Sequence, residues 1–255
     1  MNFRICISLF LVCCLLSPVM AQRDKNKQKE VTVKAMTYNT YSGRKQGIDK
    51  IAEVIKQEDP DIVSLQEIER NTEINPWNTP ERLSVLTGMK YYYFAHALDI
   101  PTGGDYGNVI LSKFPISEEK SFKLSVLKEN DYVRSFGYVK VMKEGKEFYF
   151  ATTHLDHKYE DAARLKQVDE ILACVEHLDK PVILGGDLNS RRGSATMAAF
   201  QKYFTVNCLS DGAPWTVPVP SPAYACDWLI YAPNEAFTVK AYNVCYWADK
   251  ESDHY

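Results

Sequence analysis

Chemistry-bearing side chains recur in this sequence where short apolar runs begin or end. Asn39 closes MTYNTY, Glu67 closes VSLQEIE, His154 closes ATTHLDH, and Asp187 with Asn189 closes ILGGDLNS. Asp227 opens the run in ACDWLIY, and Asp253-His254 lies in SDHY. Taken singly, an Asn, Asp or Glu at such a place is more often a turn former or a helix cap than a ligand. As a set they say more. Carboxylate and amide oxygens suit a hard cation such as Mg²⁺. A histidine held by an aspartate is a recurrent device for orienting an imidazole for proton transfer. The sequence has no G-x-S-x-G, no P-loop and no G-x-G-x-x-G, so a metal-activated water is the nucleophile that remains. The spacing His154-Leu155-Asp156-His157 raises a zinc pair, but at a strand end it is not expected to put both imidazoles on one face.

These residues need a frame. Val31 to Tyr38 alternate as a strand does, and Ile48, Ile51, Ala52 and Ile55 recur on one helical face that Asp59-Pro60 terminates. Asp61 to Gln66 read as a buried strand, and further strands are predicted at 91–97, 107–114, 134–143 and 147–155. Leu165, Val168, Leu172 and Val175 predict a helix over 160–178, followed by a short buried strand at Pro181 to Leu184. Strands near 203–209, 226–232 and 236–247 complete the pattern. Hairpin-connected strand clusters with a few covering helices predict an α/β fold of two packed, mostly antiparallel β-sheets flanked by helices. Stretches 71–88, 99–106 and 211–224 are rich in Pro, Gly, Asn and Thr and read as loops, with Trp215 a candidate for substrate contact.

Residues 1–21 stand apart. Arg4 precedes an apolar run from Ile5 to Leu16, and Val19-Met20-Ala21 supplies small residues for cleavage, so 1–21 reads as a signal peptide. Residues 22–30 read as a flexible polar leader and 31–255 as one domain. The run is too short for a stable span, and no later segment is apolar enough for one, so no stable membrane insertion is expected. Export to a periplasm or the extracellular space follows. The whole chain carries a formal charge of −3, and removal of 1–21 takes away one base and no acid. Such a balance argues against non-specific coating of polyanions. Cys174, Cys208, Cys226 and Cys245 would remain, an even number that permits disulfides without fixing a pairing.

TYNTY, DIVSLQE, YGNVILSKFPI, TTHLDH, GGDLNS, CDWLIY and SDHY occur in the order seen in the endonuclease/exonuclease/phosphatase superfamily, which the chain resembles from Val31 to its last residue. The resemblance implies a deoxyribonuclease-like four-layer sandwich and hydrolysis of a phosphoester by metal-activated water, with Mg²⁺ (or Mn²⁺ as substitute) as cofactor. It implies Glu67 as principal metal ligand with Asn39 beside it, and Asp253 completing the acidic site. Asp187 and Asn189 would orient water and phosphate, His154 would contact phosphate, Asp227 would hold His254, and Arg134 would lie near the phosphate. It leaves open whether Asp187 or the His254–Asp227 pair accepts the water's proton. It also implies a further strand after SDH, which would lie past Tyr255. Nucleic acid, phospholipid and small phosphoesters all remain possible substrates, and a monomer is expected. The alternative is a catalytically inactive binding module on the same fold, which should have lost one of Glu67, Asp187, Asp227 or His254; all four are present.

Overall fold

A computed structural model describes residues 30–158, 160–206 and 214–255. The proposed signal peptide, all but the last residue of the leader, Cys208 and much of the strand expected near 203–209 lie outside the described residues. Residues 31–255 form one compact unit.

Two mixed sheets face each other. The first has strand order β1-β2-β4-β3, with β1 Ala35–Asn39, β2 Ile62–Arg70, β3 Tyr91–Asp99 and β4 Asp105–Ser112. The second runs β5-β6-β7-β8-β9, with β5 Ile116–Leu124, β6 Arg134–Lys143, β7 Lys146–His154, β8 Val182–Asp187 and β9 Asp227–Ala232. Each sheet has one parallel pair, β1 with β2 and β7 with β8, and the remaining pairs are antiparallel. Parallel neighbours need a crossover, and a helix supplies it in both sheets. These are α1 (Ile48–Glu58) between β1 and β2, and α3 (Ala162–Val175) between β7 and β8. Asn39 thus ends β1, while His154 and Asp187 end β7 and β8 and pair in register. Carboxyl ends of parallel strands open a crevice, and the site lies there.

Three apolar clusters account for four layers. Ile51, Ile55 and Leu83 pack with Val63, Leu65, Val109 and Leu111 on the outer face of the first sheet. Val168, Ile171, Val175, Met197 and Phe200 cover the outer face of the second with Phe136, Leu184 and Ile230. Between the sheets lie Ile62, Ile110, Val139, Val141, Phe148 and Phe150. Burying one such side chain contributes about 1.5–3 kcal/mol, so the three clusters supply the main driving force for the sandwich. α1 ends where Asp59 takes a left-handed conformation (φ 48°) just before Pro60, as Asp-Pro predicts.

Four elements depart from the sequence reading. Helix α2 (Thr79–Thr87) occupies part of the stretch read as loop; Pro80 sits at its N-terminus and Gly88 (φ 76°) ends it. Its composition looks loop-like because the start and stop signals crowd around only nine residues. Helix α4 (Ala195–Phe200), capped by Ser194 accepting from the Met197 N–H, is likewise too short to show periodicity. Strand β5 was not expected, since its IleSerGluGluLysSer run is an exposed edge with little apolar signal. Conversely, 236–247 forms no named strand. Phe237 packs in the inter-sheet cluster and Cys245 in the α1 cluster, so its alternating apolar residues serve a strap between two cores rather than one sheet face.

The sheets approach closely beneath the site, and Gly185 permits it. A Cβ there would lie 3.1 Å from Ser64 Cβ and 3.2 Å from Thr37 Cβ on the facing sheet. Ser64 also donates to Gly185 O at 3.0 Å and to Thr152 Oγ1 at 2.6 Å. Gly185→Ala is therefore expected to destabilise the fold by about 1–3 kcal/mol, the usual range for overpacking, read as a lower urea midpoint at unchanged slope. An unchanged midpoint would show that the sheets can part at this point without cost.

Candidate active site

Glu67 sits where the β2–β4 register shifts between Leu65 and Ile68, with φ 58°. A bulge in a left-handed conformation is costly for glutamate and aims a side chain out of the ladder, so something must hold it. Thr40 and Ser42 do: Ser42 Oγ donates to Glu67 O at 3.0 Å, and Thr40 Oγ1 donates to Gln66 O at 2.9 Å. Asn39, fully buried, donates through Nδ2 to Glu67 Oε1 at 3.2 Å and to Asp187 Oδ2 at 3.0 Å. Its Oδ1 is committed to the Tyr41 N–H at 3.0 Å. Asn39 therefore presents an N–H₂ to the carboxylates. Its oxygen, with a second lone pair, stays compatible with the ligand part that the sequence resemblance implies.

Asp187 ends β8 among further donors. Asn189, itself at φ 46°, donates its backbone N–H to Asp187 Oδ1 at 2.9 Å, and its Nδ2 donates to Leu155 O at 3.0 Å. His154 Nε2 lies 3.4 Å and His254 Nε2 3.8 Å from Asp187 Oδ2. Burial raises the Asp187 pKa, and the neighbouring Asp227 charge adds to it, against the lowering effect of His254 and of these N–H donors. Glu67 is likewise raised, first by burial, with Asn39 and Arg134 opposing and Asp187 reinforcing. Two carboxylates that share one amide and disfavour each other's charge fit a hard divalent cation: the donor set is oxygen-rich, and a cation would relieve the repulsion.

His254 is anchored on both sides. Its Nδ1 lies 2.9 Å from Asp227 Oδ2, which also accepts from Thr216 Oγ1 at 2.5 Å. Ser252 Oγ, fully buried, donates to Asn39 O at 2.7 Å, and the Tyr255 N–H donates to Thr216 O at 2.9 Å. Burial by itself would lower the His254 pKa, but Asp227, Asp187 and Asp253 outweigh it and push it up to about 10. It is an imidazolium at neutral pH. Among the described residues, Asp187, Cys226, Asp227 and His254 bring ligand atoms within 4.8 Å of one another. That knot is committed internally, with Cys226 Sγ donating to Asp227 Oδ2 at 3.4 Å. Burial first, then the two aspartates, push the Cys226 thiol well above its ordinary value, so it stays protonated.

On the opposite wall, Arg134 is 5% exposed and donates from Nη1 to Tyr106 OH (3.0 Å) and His154 Nδ1 (3.1 Å). Its Nη2 lies 3.3 Å from His157 Nδ1. Arginine only donates, so His154 Nδ1 accepts and the ring hydrogen sits on Nε2, toward Asp187. Burial, then the cationic neighbours, hold His154 well below its ordinary pKa, and it is neutral. Both histidines of His154-Leu-Asp-His157 thus turn Nδ1 to one guanidinium. The expectation that this spacing would separate the rings is corrected, because β7 ends at His154 and the chain turns back. A guanidinium where a zinc ion would sit removes the zinc pair.

The cleft holds about 530 Å³ and is lined by Glu67, Arg134, His154, Asp187, Asn189 and His254, among others. Asn39 and Asp227 stand behind these residues. Asp253 lies beside His254 but neither lines the cleft nor joins the tight cluster, and its Oδ1 accepts from Ser252 Oγ at 3.4 Å. Trp215 is exposed and absent from the lining; its neighbour Thr216 is the loop residue that reaches the site. Sequence reasoning missed Thr40, Ser42, Tyr106, Thr216 and Ser252, and weighed His157 only as half of a zinc pair. Three of them flank residues it had singled out, in NTYS and SDH, and their hydroxyls carried the only signal. Cys174, Cys226 and Cys245 are free thiols.

The family model for the endonuclease/exonuclease/phosphatase family matches residues 36–254. Phospholipase C of Staphylococcus aureus is 31% identical over 116 residues, covering 40% of this chain and 35% of that protein, so the match spans about a third of the relative's length. An endonuclease/exonuclease/phosphatase structure from Beutenbergia cavernae superposes with a TM-score of 0.75 at 23% identity, over 87% of this chain and 69% of that one. The mannosyl-6-phosphatase Bt3783 of Bacteroides thetaiotaomicron gives 0.66 at 20% identity, over 88% and 97%. Sheet order, ordered motifs and a family match over nearly the whole described chain agree: this protein belongs to the endonuclease/exonuclease/phosphatase family.

Proposed function

We propose that this chain is an exported, divalent-cation-dependent hydrolase that cleaves a phosphoester with water. The observation that carries the reading is the meeting in one cleft of Glu67 and Asp187, joined through Asn39, with a neutral His154 on one side and a cationic His254 on the other. Glu67 and Asp187 would hold the cation. A bound Mg²⁺ or Mn²⁺ supplies positive charge that draws in a phosphate oxygen and stabilises the charge developing there.

The remaining work falls to the chain. Asp187 accepts the proton of the attacking water, its ionised form oriented by Asn39 and the Asn189 N–H, while burial raises its affinity for that proton. Asp227, Asp187 and Asp253 favour the protonated form of His254, which suits it, with Asp227, to stabilising charge on a phosphate oxygen. His154 donates Nε2–H from a ring locked by Arg134. Export rests on the sequence of residues 1–21 and the absence of a membrane-spanning helix among the described residues is compatible with it. The chain is expected to act as a monomer. Since the similar proteins include a phospholipase C and a mannosyl-6-phosphatase, substrate choice must come from the walls of the cleft.

The test is turnover by the purified chain on aryl phosphoesters, duplex DNA, RNA, sphingomyelin and an inositol phosphate, each with Mg²⁺, Mn²⁺ or EDTA. Hydrolysis of at least one ester that EDTA abolishes and Mg²⁺ restores is expected. Folded protein that turns over none of them would leave the binding-module reading in its place.

A further inference from the structure

We propose that His157 contacts the substrate, and that what it contacts is the extra anionic oxygen of a terminal phosphate, which makes the substrate class phosphomonoesters. This rests on the hydrolase reading above.

The argument begins with a buried cation. Arg134 is 5% exposed, and its N–H groups reach Tyr106 OH, His154 Nδ1 and His157 Nδ1, none of them a carboxylate. Its Nε is buried with no hydrogen-bond partner among the described residues. Glu67 acts on this guanidinium only through space; a buried cation with no carboxylate in direct contact is costly, and a buried N–H without an acceptor adds to the cost. Both are explained if an anion completes the site.

The same arginine settles what His157 offers. Because a guanidinium only donates, His157 Nδ1 must accept, which leaves the ring hydrogen on Nε2. His157 is exposed and lines the cleft, so a donor is available to a ligand there. Tyr132 braces the group, with its ring 5.3 Å from the Arg134 guanidinium carbon and edge-on to His157 at 6.4 Å.

The turn that carries His157 is built rather than loose. Two buried polar residues of α3 reach back to it. Gln167 Oε1 accepts from the Asp156 N–H at 2.9 Å, and Arg164 Nη1 donates to Asp156 O at 3.0 Å. Asp156 Oδ1 in turn accepts from the Lys158 N–H at 2.8 Å. These contacts fix the residues on either side of His157.

Oxygen arithmetic then selects the substrate. A diester phosphate carries two non-bridging oxygens and a second ester chain; a monoester carries three such oxygens and higher charge. His157 Nε2–H lies on one wall, with the Arg134 guanidinium and His154 beside it. A second ester chain directed at that wall would cover these donors without satisfying them, while a third oxygen would satisfy them.

The experiment compares p-nitrophenyl phosphate with methyl p-nitrophenyl phosphate in Mg²⁺, for wild type, His157→Ala and His157→Gln, with binding of inorganic phosphate measured by calorimetry on the same proteins. Wild type is expected to favour the monoester at least about tenfold in kcat/KM. His157→Ala should lower that value roughly 10- to 100-fold, the size of a hydrogen bond to a charged group. The diester should change less than about twofold, phosphate binding should weaken by the same factor as the monoester, and His157→Gln should recover part of both. A diester preference, an equal loss on both esters, or no loss would overturn the proposal. Phosphate binding that needs His157 without turnover of any ester would sink the hydrolase reading alone. Turnover indifferent to His157, with phosphate binding equally indifferent, would sink the subsite alone.

Discussion

Asp187→Asn is expected to lower kcat by about 10³- to 10⁴-fold while leaving the fold intact, an increase of about 4–5.5 kcal/mol in the barrier. Asparagine keeps the shape and loses two things. It cannot take the water's proton, and it withdraws a negative charge from the pair that would hold the cation. It also turns one acceptor into an N–H₂ in a site already filled with donors: Asn39 Nδ2 at 3.0 Å, the Asn189 N–H at 2.9 Å and the His154 ring nitrogen at 3.4 Å. Stability should move the other way. The Asp187 pKa is raised in the folded state, by burial and then by Asp227, so its ionisation weighs against folding. For an acid with a raised folded pKa, that penalty is absent below the unfolded value and grows as pH rises through the folded one. In EDTA at neutral pH the asparagine variant should therefore unfold at the same or a higher temperature than wild type. Residual activity above about a tenth would remove Asp187 from the role of base. A large fall in melting temperature would mean that the N–H₂ placed among these donors, or the lost charge, outweighs the relief of the buried ionisation.

The contrast between an activity lost and a stability kept explains which parts of this molecule the sequence made legible. Strand β6 could be read to the residue over 134–143, because a short run rich in aromatic and β-branched residues is consistent with a largely buried strand. Asp187 and Asp227 could be read because each sits at the end of such a run, and in-register pairing of Asp187 with Asp227 follows once β8 and β9 are adjacent. What could not be read is held by side chains with no periodicity. In α3 the buried face includes Arg164 and Gln167 besides Val168, Ile171 and Val175, and a pattern search for apolar residues passes over the two that position His157. Tyr106 likewise reaches Arg134 from β4, 28 residues away, and Thr216 reaches Asp227 from the loop before β9, 11 residues away. Such contacts are tertiary, and only the folded chain brings them together.

Asp227→Asn should be the second severe substitution, costing about 10²- to 10⁴-fold in kcat although Asp227 does not line the cleft. Its Oδ2 accepts from both His254 Nδ1, at 2.9 Å, and Thr216 Oγ1, at 2.5 Å, so it fixes the ring's orientation and leaves Nε2 facing Asp187. Its other oxygen is buried without a hydrogen-bond partner among the described residues, and asparagine would put an N–H₂ there, unsatisfied at a cost of about 1–3 kcal/mol. The pH signature separates this from simple misfolding. Burial works to lower the His254 pKa, and Asp227 leads the charges that push it up to about 10. With Asp227 neutralised, burial is opposed only by Asp187 and Asp253, and the value should fall toward that of an ordinary imidazole. A base whose folded pKa is raised stabilises the fold fully below its unfolded pKa, and that contribution is lost as pH rises through the folded value. In EDTA, wild type should therefore lose stability relative to Asp227→Asn between about pH 6.5 and 10, and the His254 ring protons should titrate at lower pH in the variant. Parallel melting curves across that window would mean that His254 gains no proton affinity from Asp227. The imidazolium would then have to be replaced by a neutral ring, and His254 would return as a competitor to Asp187 for the water's proton.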